Sequence, residues 1–289
     1  MITLPYQIVD VFTDRPFTGN PLAVVFEARE LAAEQMQALA REFNLSETVF
    51  VLPATTAEAT YRARIFTTEE ELPFAGHPSV GAAVTFTERA GRGPGVVVQE
   101  CGAGLLPIEV YEGGKATLTG GAPTVGEALD PTNLLAATGL TTEDFAGPAP
   151  RVAGCGLEFP FVSVTRDALA RAAGDSAAAR AAGLFGVSLV AWDAASRTGH
   201  TRLFFGSGMV EDPATGSAAL GMGVWLVASG LLPGEGESEY VVEQGHEMGR
   251  PSTLECRVTA RGGVVVSATV TGRVVPIAHG EIAVPPFVG

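Results

Sequence analysis

The chain has 289 residues, enough for two domains of ordinary size whose cores need no disulfide or metal staple. Its 32 acidic against 18 basic side chains give a net charge of −14, which repels phosphate backbones and anionic lipid and speaks against nucleic-acid or membrane partners. Three widely spaced cysteines, Cys101, Cys155 and Cys256, fit neither a disulfide framework nor a metal-ligand spacing, and residues 1–7 carry no basic signal region, so a soluble cytoplasmic protein is expected.

In chain order, short β-branched runs bounded by Gly, Pro, Asp or Asn predict strands over 7–12, 22–26, 48–52, 63–66, 95–99, 106–110 and 116–119. Helices are predicted over 31–43, where Leu31, Leu39 and Phe43 share a side, over the small-residue stretch 78–90, and briefly over 128–137. Residues 130–150, rich in Thr, Ala, Gly and Pro, read as the passage into a second domain. Beyond them lie strands over 158–164, 187–191 and 201–205, an Ala/Arg helical region over 168–182, and an apolar helix over 217–229. Strands follow over 240–244, 254–260, 264–270, 272–276 and 280–284. Many strands with one small or apolar helix in each half predict an α+β fold of two halves, 1–120 and 121–276, each a curled mixed sheet around its central helix.

The two central helices begin alike. Gly76-His77-Pro78-Ser79-Val80-Gly81 and Gly216-Ser217-Ala218-Ala219-Leu220-Gly221 align without a gap, and Arg64-Ile65-Phe66 and Arg202-Leu203-Phe204 stand upstream of them in strand-like stretches. Each half therefore reads strand, loop, small-residue helix. Free N–H groups at such helix starts suit an anion such as a substrate carboxylate, and a small-molecule site between the two halves is expected.

Glu47 has the sharpest chemical potential. An Asn44-x-x-Glu47 capping box would open a helix, but the following Thr48-Val49-Phe50-Val51-Leu52-Pro53 reads as a strand, which leaves Asn44 to close the preceding helix in the left-handed conformation. Glu47 then enters a strand among apolar residues, where it can hold or surrender a proton. A solvated strand-end glutamate is the plainer alternative. His77 and Asp212 are ordinary loop and turn residues taken singly, yet they stand at equivalent ends of the two repeated devices, with Ser217 beside the second. The chain has no Walker loop, nucleophile elbow, dinucleotide fingerprint or HExxH, and His200, His246 and His279 have no ligand-like spacing.

These segments resemble a known family. Gln7-Ile8-Val9-Asp10-Val11-Phe12, Phe17-Thr18-Gly19-Asn20-Pro21, Asn44-Leu45-Ser46-Glu47-Thr48, Leu72-Pro73-Phe74-Ala75-Gly76-His77-Pro78 and Glu211-Asp212-Pro213-Ala214-Thr215-Gly216-Ser217-Ala218 are similar, in this order, to motifs of the phenazine-biosynthesis isomerase (PhzF-like) family. The resemblance implies a diaminopimelate-epimerase-like fold whose C-terminal strand, 277–289, returns to the first half, and a homodimer. It implies an isomerase of trans-2,3-dihydro-3-hydroxyanthranilate type substrates that needs no metal or organic cofactor. Glu47 matches the acid that moves the proton, His77, Asp212 and Ser217 match groups around the substrate, and Gly76 and Gly216 match backbone positions beside it.

Two alternatives differ in class. An amino-acid epimerase on this fold would use a pair of thiols at the helix starts, and neither 72–82 nor 209–219 contains a cysteine. A binding protein that kept the scaffold and lost the reaction is disfavoured by Glu47, His77 and Asp212 occurring together. The expected outcome for a folded variant with alanine at Cys101, Cys155 and Cys256 is therefore retained turnover, and iodoacetamide should leave the unmodified enzyme active; turnover lost in that folded variant would restore the epimerase reading.

Overall fold

A computed structural model describes residues 2–286 and divides the chain into two compact units, one running to Thr119 and resuming at Thr271, the other Gly120–Val270. The division lies at 270/271, against 276/277 in the sequence expectation. In the first unit the elements are β1 (Thr3–Val11), β2 (Asn20–Val25), α1 (Ala33–Phe43), β3 (Glu47–Leu52), β4 (Tyr61–Phe66), β5 (Glu71–Leu72), α2 (Gly76–Arg89), β6 (Gly95–Cys101), β7 (Gly104–Tyr111) and β8 (Lys115–Thr119). The second holds β9 (Pro123–Ala128), α3 (Pro131–Ala136), β10 (Arg151–Cys155), β11 (Leu157–Ser163), α4 (Arg166–Arg171), α5 (Ser176–Ala181), β12 (Gly186–Asp193), β13 (Thr198–Phe205), β14 (Val210–Asp212), α6 (Gly216–Ala228), β15 (Gly236–Gln244) and β16 (Ser252–Arg261). The last strand, β17 (Val264–Ala283), starts in the second unit and ends in the first.

The first sheet runs β1–β2–β3–β4–β6–β7–β8, and β17 pairs with both β1 and β8, so it closes into a barrel. Two pairings are parallel, β2 with β3 and β4 with β6, because a helix lies in each intervening connection. The second unit repeats the plan: β11 pairs parallel with β12 and β13 with β15, the other partners are antiparallel, and β9 lies on β10 as the end of β17 lies on β1. This is the α+β architecture of two similar halves that the sequence predicts.

Each barrel wraps the helix that its sequence makes smallest. In α2 every residue from Gly76 to Thr85 is buried, and its hydroxyls fold back on the helix: Ser79 donates to the Ala75 carbonyl at 2.8 Å, Thr85 to Gly81 at 2.6 Å and Thr87 to Ala83 at 2.8 Å. Their hydrogen bonds are thereby met inside an apolar shell. In α6 Gly216 to Val227 are all buried, and Trp225 stacks on Phe161 with ring centroids 6.0 Å apart. By contrast α1 is amphipathic and lies on the outer side, where Met36, Leu39 and Ala40 join Leu4, Val25, Phe50 and Phe66.

Several elements differ from the sequence expectation. The helical region 168–182 is two short helices, because Asp175 caps a new start by accepting from the Ala177 and Ala178 N–H groups. The three separate strands expected over 264–284 are one strand; an irregularity in its pairing with β1 between Ile8 and Val9 accommodates the stretch from Pro276 to Ala278. Strands β5, β9, β10 and β14 were not expected, being short or largely exposed and polar.

A glycine midway along each central helix permits close contact with the surrounding sheet. A Cβ at Gly221 would lie 2.9 Å from the Ala153 carbonyl oxygen and 3.1 Å from the Gly154 Cα, both backbone atoms, whereas one at Gly81 would meet the side-chain ends of Leu22 at 2.5 Å and Val11 at 2.9 Å. Side chains yield and a sheet backbone does not. Gly221→Ala is expected to destabilise by about 1–3 kcal/mol in urea unfolding, and Gly81→Ala by less.

Candidate active site

In the first unit the starts of β2, β3 and α2 bring together Asn20, Glu47, Gly76 and His77. Glu47 is the first residue of β3, in register with Leu22 of the parallel β2. The chain reaches it through Asn44, which closes α1 in the left-handed conformation at φ 51° with its N–H on the Ala40 carbonyl, as the sequence predicts. Behind Glu47, Val49, Phe50 and Val51 are buried, and its own side chain is 16% exposed.

His77 is the second residue of α2 and is only 4% exposed. Burial pushes its pKa down to about 3, so the imidazole is neutral throughout the physiological range. The Asn20 amide nitrogen, a donor only, faces His77 Nδ1 at 3.3 Å. Nδ1 therefore accepts, and the single ring proton belongs on Nε2, which stands 3.5 Å from Glu47 Oε2. The pair is a neutral donor before a carboxyl group and not an ion pair.

Next to this group the 12–20 loop is tightly held. Phe12 and Phe17 both have φ 65°, outside the usual range for residues with a side chain, and the buried Asp10 carboxylate accepts the Phe17 N–H at 2.7 Å. The Phe17 ring is 71% exposed.

In the second unit Asp212 ends β14, and Gly216 and Ser217 open α6. Asp212 Oδ2 is hydrogen-bonded to the Thr215 hydroxyl, and Gln244, at the end of β15, spans the loop: its Oε1 accepts the Thr215 N–H at 3.2 Å and its Nε2 donates to the Asp212 carbonyl at 2.7 Å. Neither Ala75 nor Thr215 caps its helix with a side chain, so the first N–H groups of α2 and α6 are not met by a capping residue.

The Arg-x-Phe repeat also proves to be structural. Arg64 makes a two-bond pair with Glu71 (Nε to Oε1 2.7 Å, Nη2 to Oε2 2.6 Å) and lies over Phe66. Arg202 does the same with Glu211 (2.8 and 2.6 Å) over Phe204, and its Nη1 also reaches the Leu169 and Ala172 carbonyls. Each clamp staples the hairpin that leads into its helix start.

The sequence-predicted residues thus fall into two sets, Glu47 with Gly76 and His77 in the first unit and Asp212 with Gly216 and Ser217 in the second. The sequence reading passed over Asn20, Thr215 and Gln244. Asn20 and Thr215 lie inside quoted motifs; nothing in the sequence distinguishes Gln244, a single polar residue at a strand end. Among the described residues no group of three or more His, Cys, Asp or Glu is placed to hold a metal ion.

Two similar halves, each a curved mixed sheet around a buried helix, with Glu47 set beside a neutral imidazole in the first, are the fold and site with which known proteins can be compared. The Phenazine biosynthesis-like protein family model matches residues 9–280, and the chain belongs to that family. It is an isomerase of the PhzF type. An uncharacterized isomerase of Mesorhizobium japonicum is 36% identical over 98% of this chain and 99% of its own length. The trans-2,3-dihydro-3-hydroxyanthranilate isomerase of Pseudomonas aeruginosa is 35% identical over 96% and 98%. The crystal structure of a Bacillus anthracis phenazine biosynthesis protein of the PhzF family superposes with a TM-score of 0.87 at 26% identity, over 98% of this chain and 100% of that one.

The low His77 pKa makes stability depend on pH. The unfolded imidazole binds its proton below about 6.5, whereas the folded one stays neutral to about 3. Between these values the unfolded state holds more protons, so this contribution is whole above about pH 6.5 and is lost as the pH falls toward 3. Unfolding free energies measured by urea from pH 7 to 4 should fall less steeply in His77→Gln than in the wild type, by up to about 1.4 kcal/mol per pH unit; equal slopes would mean that His77 is not held neutral.

Proposed function

We propose that the protein isomerises a small unsaturated cyclic amino or hydroxy acid of the trans-2,3-dihydro-3-hydroxyanthranilate type, with Glu47 as the acid-base group. The observation that carries this reading is the contact between Glu47 Oε2 and the neutral His77 Nε2–H, whose tautomer the Asn20 amide selects. Relatives 32–36% identical bear the name of that isomerase or of an isomerase without a stated substrate, which supports the reaction type more than the substrate.

The chemistry needs one group that gives a proton to one carbon and takes a proton from another on the same face of the ligand. A single carboxyl group that is protonated and deprotonated in turn does both, and no other reagent is required. An imidazolium beside it would hold its anion in an ion pair. A neutral imidazole 3.5 Å away turns its N–H toward the carboxyl group without a competing charge, so His77 faces Glu47 without holding its anion in an ion pair. Gly76, Gly216 and Ser217 belong to helix starts whose N–H groups favour a carboxylate, and Asp212 is assigned as a further acid-base group. The enzyme is expected to act without metal or organic cofactor, as a cytoplasmic homodimer. Among the described residues no helix is long and apolar enough to cross a membrane.

The thiols support this reading over a two-thiol epimerase. Cys155 and Cys256 are buried, and burial pushes both thiols up, Cys155 to about 12, away from the reactive thiolate form.

Glu47→Gln preserves size and hydrogen bonding but removes the exchangeable acid proton. Its turnover of trans-2,3-dihydro-3-hydroxyanthranilate should fall by about 10²–10⁴-fold while the dissociation constant of the same ligand changes little. In D2O the wild type should introduce deuterium at the newly protonated carbon. A folded Glu47→Gln variant that isomerises at the wild-type rate would assign the proton to another group, with Asp212 the first to try.

A further inference from the structure

We propose that Gln244 and Thr215 are positioning residues that fix the direction of the hydrogen bond to Asp212, presenting its carboxylate in one orientation as a proton acceptor. The inference rests on the role assigned to Asp212 above and adds the device that holds it.

The direction follows from donor and acceptor capacities alone. The Thr215 backbone N–H can only donate, and it donates to Gln244 Oε1 at 3.2 Å. The Asp212 carbonyl can only accept, and it accepts from Gln244 Nε2 at 2.7 Å. Together these bonds settle which end of the amide is oxygen. The same Nε2 donates its second hydrogen to Thr215 Oγ1 at 3.1 Å. A hydroxyl carries one proton, so the proton of Thr215, with its oxygen already accepting from the amide, is directed to Asp212 Oδ2. The reverse polarity would set the amide hydrogen and a protonated carboxyl group against the same hydroxyl and leave the Thr215 proton without a place. Gln244 is 2% exposed, so water competes little for its amide, whereas Asp212 and Thr215 are half-buried.

The first unit supplies the comparison that separates positioning from mere construction. Its hairpin has the same register, Phe66 with Glu71 and Ile65 with Leu72, as Phe204 with Glu211 and Leu203 with Asp212. By that register Leu72 stands at the place of Asp212, and Ala75 at that of Thr215. An arginine-clamped hairpin leading into a buried helix start is therefore built in this chain without an Asp–Thr pair. The relay is an addition made on one side only, where a carboxylate has to be aimed.

The test uses the full-length enzyme with Thr215→Val, Thr215→Ser, Gln244→Met and Asp212→Asn. In equal parts of H2O and D2O, the Thr215 13Cβ signal should split into two in the wild type, because its hydrogen-bonded hydroxyl proton exchanges slowly, and collapse to one in Gln244→Met. A single signal in the wild type, or splitting unchanged in Gln244→Met, overturns the relay whatever the substrate is. On trans-2,3-dihydro-3-hydroxyanthranilate, Thr215→Val and Gln244→Met should lower kcat about tenfold to a hundredfold with KM nearly unchanged. Thr215→Ser should recover most of the loss. Adding Thr215→Val to Asp212→Asn should lower kcat little further, since both act through one bond; a full additional loss would mean that Thr215 acts elsewhere. If Asp212→Asn alone keeps wild-type turnover, the role assigned to Asp212 fails, and the relay is still decided by the carbon signal.

Discussion

Enclosure of a whole helix inside a closed sheet governs most of what this chain does. A helix with one wet face can carry any polar residue there, but α2 and α6 have no such face. Their sequences must be small or apolar all round, with hydroxyls that close on their own backbone and glycines where the sheet comes within a backbone's thickness. The first turn is then the part of each helix with N–H groups left over, and the residues around it lie where burial is deep but polar groups are close. Chemistry gathers there because packing excludes it from the rest of the helix.

The Glu47–His77 pair illustrates the effect. Desolvation removes the charge from His77, and the Asn20 amide chooses which nitrogen keeps the proton. An imidazole that in water would take up a proton below about 6.5 is held here as a neutral donor. In the adjoining loop two phenylalanines lie in the left-handed region, and the Asp10 carboxylate accepts the N–H of the second of them.

Much of this was legible beforehand, and the illegible parts have physical reasons. The strand at Glu47 was readable because Thr48 to Leu52 are almost all β-branched or aromatic and Asn44 is at ease in the left-handed region. The repeat was readable because enclosure allows so few residue types that both helix starts kept the same glycines. Strands β9 and β10 were not, since their short, polar or small-residue segments depend on each other for pairing and carry little hydrophobic pattern. The break between α4 and α5 falls at Gly174-Asp175-Ser176, poor helix formers inside an otherwise alanine-rich run, where Asp175 caps the second start. Gln244 was invisible for a different reason: its partners, Asp212 and Thr215, are brought to it by the parallel pairing of β13 with β15 and by nothing local.

The strand β17 has a consequence for the order in which the chain is made. The first barrel is completed by residues from Thr271 on, which are made after the whole of the second unit, so until then the unit begun first has β1 and β8 as open edges. The second unit needs nothing after Val270 and has its own set of strands before the first has its final one. Maturation of the first unit therefore waits for β17, and a nascent chain stalled before it would present two open strand edges to chaperones or to neighbouring chains.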